Sequence, residues 1–274
     1  MPIPIPDALD DAGAIAVAKA AQVRRLPRYL LSSAFAGAFV GVAVVLLVSV
    51  SAPLVASGNA ASKLVQGTVF GVALTLVVFA GAELFTGNAM YMLQGLVARR
   101  VRGRDVVAVW GASLAGNFVG SIGFAALVHG AGTMAGAGEG LVASITDAKH
   151  ALAGPQLLWR SVLCNLLVCL ALWMAGRTKS DAAKLVVLWW ALLAFIASGF
   201  EHSIANMTIF GLGILEGSAS WGELFRNLAW TVPGNVLGGG VLVGLGYSYL
   251  GGGVVRRPAV TIPDTADDLL SATA

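Results

Sequence analysis

Three side chains able to do chemistry lie inside stretches that are otherwise apolar: Glu83, Glu201 and His202. Glu83 belongs to GAELFTGN (residues 81–88), and the other two belong to GFEHSIAN (residues 199–206). A carboxylate or imidazole is costly to keep in hydrocarbon, so such groups are functional candidates by default. An imidazole, titrating ordinarily near 6.5, is the side chain best suited to exchange a proton close to neutrality. His202 has no counterpart in the first motif, where Leu84 stands, and a group present once suits a site better than a scaffold. The repeated glutamates suit capping of exposed backbone amides. No nucleophile–base pair, phosphate loop or metal-ligand cluster accompanies these residues. His129 and His150 read as loop or interface residues, not metal ligands. No enzyme activity, cofactor or metal is implied by these residues.

The elements that must hold these groups are membrane spans. Hydrophobic residues make up 57% of the 274-residue chain and charged residues 11%, against about 25% charged in soluble domains. Apolar segments run over Tyr29–Val50, Leu64–Val97, Val106–His129, Ser161–Gly176, Leu185–Leu215 and Asn227–Gly251. Of the Lys and Arg residues, 13 lie in the N-terminal segment, the tail and the links after spans two and four; Lys63, Lys149, Arg160 and Arg226 lie on the other side. That bias puts both termini in the cytoplasm, and the net charge of +3 is not a nucleic-acid footprint. Cys164 and Cys169, five apart on one helix, face different ways and imply no disulfide. Residues 1–28 read as an amphipathic helix at the cytoplasmic surface, outside the bundle and stopped by Pro27. Residues 29–251 form the six-span transmembrane domain, and residues 252–274 a cytoplasmic tail. The Gly-rich stretch before Pro155 reads as an external loop.

The chain repeats itself at an offset of 118. Gly81, Glu83 and Asn88 match Gly199, Glu201 and Asn206, and Gly116, Asn117 and Gly120 match Gly234, Asn235 and Gly238. A repeat of three spans has odd parity, so its second copy inserts upside down, as in many transport proteins. The segments holding the motifs, 34 and 31 residues long, are about 50 Å as continuous helices against a hydrocarbon core of roughly 30 Å. Breaks near Leu84–Asn88 and Gly199–Ala205, facing each other at the midplane, resolve the excess. Asn117 and Asn235 would satisfy backbone groups at those breaks, with Glu83 and Asn88 as further structural residues. The expected fold is an all-α, six-span inverted 3+3 repeat with broken helices two and five.

GAELFTGN, CNLLVCLALWMA (residues 164–175) and FEHSIANMTIF (residues 200–210) together resemble the signatures of the formate/nitrite transporter family. The resemblance covers Arg28 to Gly251. It implies an aquaporin-like, multi-pass homopentamer in a bacterial-type inner membrane, surrounded by lipid, each protomer passing a small monovalent anion. Nitrite is implied first; formate, another small monocarboxylate or hydrosulfide are alternatives. Thr86 would sit opposite His202, with Asn165 and Lys149 as a polar pair behind it and Glu201 and Asn206 beside it. Phe70, Leu74 and Val168 match the cytoplasmic constriction, and Leu84, Phe85 and Phe195 the periplasmic one. Half-helix N-termini and Lys149 attract an anion while dry constrictions resist it. Passage with a proton, as the neutral acid, resolves the conflict, His202 being suited to exchange that proton. A strict anion channel, in which His202 only donates a hydrogen bond, is the competing mechanism.

Overall fold

A computed structural model describes residues 1–252, and within them the chain is helical with no strand. Helix α1 (Ile5–Gln22) opens with a proline and Asp7 in its first turn and ends with Lys19 in its last, charges that suit the helix dipole. It is not outside the bundle as expected. Ala8, Ala12, Ala16 and Ala20, four apart on one face, are buried against α5 (Phe85–Val97) and α6 (Gly103–Gly130). Pro27 does not stop α1 either; it lies in the first turn of α2 (Leu26–Ala56), where its missing amide costs nothing.

The second apolar segment comprises α3 (Ser62–Phe70), α4 (Val72–Phe79), an irregular stretch over residues 80–84, and then α5. The fifth comprises α9 (Asp181–Ala197), an irregular stretch over residues 198–202, and α10 (Ser203–Leu215). Gly81 and Gly199 turn the chain at φ +76° and +70°, a region that L residues avoid. The first break therefore lies just before the expected position. Leu84 is the extended residue at the helix start, and Phe85–Asn88 form the first turn of α5. Among the described residues, five helical stretches are long and apolar enough to cross a membrane, over residues 26–56, 62–79, 103–130, 154–176 and 221–250, with α10 a shorter apolar helix.

Two further elements differ from expectation. The Gly-rich stretch leads into α7 (Ala137–His150), which carries Lys149 in its last turn. Pro155 lies in the first turn of α8 (Gly154–Gly176), starting that helix seven residues before Ser161. The sixth span begins as α11 (Trp221–Asn235), widens into a π-helical stretch (Val236–Leu245) and closes with α12 (Gly246–Leu250). Arg177 at the end of α8 donates to the Ile3 carbonyl at 2.8 Å, which sets one face of the bundle beside α1. Lys149 on α7 belongs to the opposite face. The tail, except Gly252, lies outside the described residues.

Candidate functional site

A helix that starts inside a protein leaves backbone amides without partners, and burying them unpaired is costly. At both breaks an asparagine meets that need. Asn117 Oδ1 accepts the Phe85 amide at 2.9 Å, while its Nδ2 donates to the carbonyls of Ser33 (2.7 Å) and Glu83 (2.9 Å). Asn235 Oδ1 accepts the Ser203 amide at 2.9 Å, and its Nδ2 donates to the carbonyls of Ser161 (2.8 Å) and Glu201 (3.1 Å).

The two glutamates are equally committed. Lys19 Nζ donates to both Glu83 oxygens at 2.9 and 2.7 Å, and the Tyr29 hydroxyl and Asn88 Nδ2 donate to Oε2 at 3.1 and 3.2 Å. Lys149 Nζ reaches both Glu201 oxygens at 2.8 Å, and Asn206 Nδ2 reaches Oε2 at 2.7 Å. Each carboxylate thus has a lysine and an asparagine, the asparagine coming from five residues further along the chain. Neither is a free charge.

Between the breaks, the starts of α5 and α10 meet. His202 caps α10, its Nδ1 accepting the Ala205 amide at 3.1 Å, and its Nε2 lies 3.2 Å from Thr86 Oγ1 in the first turn of α5. An Nδ1 that accepts a backbone amide carries no proton, so the neutral ring holds its proton on Nε2 and donates it to Thr86. Asn165 Nδ2 stands behind this pair. It donates to the Thr86 carbonyl at 3.0 Å and to the Asn235 carbonyl at 2.6 Å. Cys169 Sγ donates to the same Thr86 carbonyl at 3.3 Å.

Three cavities line up through this centre. A vestibule of about 700 Å³ on the α1 face is lined by Lys19, Arg25, Arg28, Glu83 and Lys184, with Leu74 and Leu84 also at its wall. A central cavity of about 10 Å³ lies between Leu74, Leu84, Val168, Phe70, Phe195 and His202. A third, of about 40 Å³, is lined by Phe70, Phe195, His202, Asn206 and Lys149. Leu74 and Leu84 therefore divide vestibule from centre, and Phe70 and Phe195, edge to face at 5.6 Å, divide centre from outer cavity. This regroups two expected residues. Phe70 belongs with Phe195 on the Lys149 side, and Leu84 with Leu74 on the α1 side, because the aromatic pair closes across α3 and α9. Phe85 lines none of these cavities; its ring packs edge to face on Trp110 at 6.4 Å.

Thr86, His202, Asn165, Lys149, Glu201 and Asn206 are brought together around one point. Cys169 joins them at the Thr86 carbonyl, and Lys19 and Tyr29 hold Glu83 at the first break, none of the three having been singled out for the site. Lys19 had a signal: a carboxylate matched to Glu201, which has a lysine, calls for a lysine of its own. His150 Nδ1 lies 3.3 Å from Glu223 Oε1 on the outer surface. No group of three or more His, Cys, Asp or Glu able to hold a metal occurs among the described residues.

The chain is similar to known proteins in sequence and in fold. The formate/nitrite transporter family matches residues 6–249. The nitrite transporter NirC of Escherichia coli (strain K12) is 42% identical over 242 residues, covering 85% of this chain and 88% of the relative. A solved structure described as an FNT family ion channel superposes with a TM-score of 0.84 at 39% identity, covering 89% of this chain and 98% of the other. A second, described as a pentameric formate channel with formate bound, gives 0.71 at 26% identity, covering 83% and 98%.

Proposed function

The chain belongs to the formate/nitrite transporter family, and from that premise we propose that it conducts nitrite as the neutral acid, one proton with each anion, past His202. One observation carries this reading. The smallest of the three cavities is apolar on every side but one: three leucines, two phenylalanines, two valines and an alanine, with His202 as the polar exception. A cavity of about 10 Å³ has room for about one water, so an anion entering it sheds its hydration shell. Unpaired burial of an ion costs far more than burial of a neutral polar molecule, and nitrous acid is neutral.

The ring's hydrogen bonds support His202 as a donor, not a proton source. Its single proton sits on Nε2, and loss of that proton would leave an imidazolate. Nitrite therefore takes its proton from water in the vestibule or the outer cavity. The basic lining of the vestibule raises the local anion concentration. Thr86, which accepts from Nε2–H, turns its own hydroxyl proton toward the permeant.

The NirC relative supports nitrite over formate, and the pentameric formate channel supports a homopentamer. Matching hydrogen-bond sets at the two breaks support an inverted 3+3 arrangement, the distribution of Lys and Arg supports cytoplasmic termini, and the Escherichia coli relative supports a bacterial inner-membrane protein. The test is uptake of nitrite and formate into proteoliposomes with internal pH and membrane current recorded together. Nitrite entry with one proton each and no net current is the expected result. A current reversing at the nitrite Nernst potential, with internal pH constant, would overturn proton-linked passage in favour of a strict anion channel.

A further inference from the structure

The sixth span is π-helical over ten residues, and such stretches concentrate at functional sites. We propose that Gly239, within this stretch, is a positioning residue for the pore centre: it vacates the space from which Asn165 and Cys169 hold the Thr86 carbonyl.

The geometry is specific. A Cβ on Gly239 would overlap two atoms before any other, Asn165 Nδ2 and Cys169 Sγ. Those are the two atoms that donate to the Thr86 carbonyl, at 3.0 and 3.3 Å. The Thr86 carbonyl lies in the first turn of α5, so both donors fix the rotation of that turn. They thereby fix the 3.2 Å approach of Thr86 Oγ1 to His202 Nε2. Asn165 Nδ2 also takes the Asn235 carbonyl at 2.6 Å, one residue before the π winding begins, where a widened turn opens the backbone ladder to a side chain.

The other half of the molecule supplies the contrast. Asn117 in α6 makes the same three break contacts as Asn235, yet α6 is α-helical throughout. There the residue against the asparagine carbonyl is Gly37 of α2, with no side chain to admit. Wide winding, a glycine and an inserted amide occur together, on the side that reaches Thr86.

The proposal rests on the reading of Thr86 and His202 as the point the permeant passes, and the experiment separates the two. Nitrite flux per pentamer and the nitrite-to-formate ratio are measured in proteoliposomes for Gly239→Ala, Asn165→Ala, the double variant and Thr86→Val, with Gly246→Ala, which meets no neighbour within 4 Å, as control. Gly239→Ala should lower flux roughly three- to tenfold, the size expected for losing one hydrogen bond, and alter the ratio. Asn165→Ala should do the same, and the double variant should be no worse than the worse single one, because both changes break the hold of Asn165 on the Thr86 carbonyl. Fully additive losses, or a Gly239→Ala channel with wild-type flux and ratio, would overturn the inference. Should Gly239→Ala fail to assemble, adding both Asn165→Ala and Cys169→Ala removes the two overlapping atoms and must recover pentamers; failure there overturns it too. An unaffected Thr86→Val channel would instead sink the reading of the site itself.

Discussion

His202 Nδ1 accepts the Ala205 amide at 3.1 Å, so the histidine is at once the cap of α10 and, through Nε2, the partner of Thr86 Oγ1 at 3.2 Å. Taking up a second proton would require Nδ1 to release that amide, uncapping a buried helix start. The two duties together favour a ring that stays neutral while the permeant passes.

His202→Asn tests this directly. Asparagine is a good N-cap, so α10 should keep its start, while the titratable group is gone. Nitrite flux should fall, since Asn is shorter and reaches Thr86 less well, but each nitrite that enters should still bring one proton. Internal-pH recording on the purified variant is the measurement. Flux that persists while its acidification disappears would mean that His202 relays the proton after all.

The pairing of Glu83 with Glu201 and of Asn117 with Asn235 is legible in the sequence because one offset runs through all four residues. Lys19 escapes it. Lys19 and Lys149 stand 130 residues apart, not 118, the connections having changed length between the halves, and they belong to helices of different kinds. Which barrier Phe70 or Leu84 joins depends on how α3 and α9 cross, a long-range geometry that residue type does not encode. Phe85 has the size of a pore ring, but one step past Leu84 at a helix start carries its side chain round to Trp110. The run VLGGGVLVGL reads as ordinary apolar helix; the amide that reaches its start belongs to Asn165, 71 residues before Val236.

Breaking the Lys149–Glu201 pair should destabilise more than removing it. The two side chains are 13% and 4% exposed, so Lys149→Met leaves a buried carboxylate without its counter-charge, at about 3–5 kcal/mol. Lys149→Met/Glu201→Gln should recover much of that loss, because the remaining amide can still accept from Asn206. Thermal unfolding of the detergent-solubilised variants reads the difference. A double variant no more stable than Lys149→Met would show that the ion pair is not what holds the second break.

Asn117→Leu should prevent assembly of a stable protein, because the Phe85 amide and the Ser33 and Glu83 carbonyls lose their partner together. Each buried group left unsatisfied costs about 1–3 kcal/mol, a large share of the stability of most domains. Asn117→Asp keeps the acceptor for Phe85 but no donor, and should be intermediate. Yields of folded protein by size-exclusion chromatography rank the three; wild-type yield from Asn117→Leu would contradict the account of the break.

Phe195→Ala and Phe85→Ala should part company, although both residues are large, aromatic and nearly fully buried. The Phe195 ring stands between the central and outer cavities, against Phe70 at 5.6 Å and stacked on His202 at 6.0 Å. Its removal should merge the two cavities, let hydration water accompany the ion, and admit larger monocarboxylates such as lactate. Proton coupling should weaken with it, since a hydrated ion no longer needs to be neutral. The Phe85 ring lies on Trp110, away from the passage, so its loss should cost about 3–5 kcal/mol of packing and leave selectivity unchanged. Lactate uptake and the proton-to-nitrite ratio, measured on both variants at equal pentamer density, decide it. Lactate entry through Phe85→Ala but not through Phe195→Ala would reverse the assignment of the barrier.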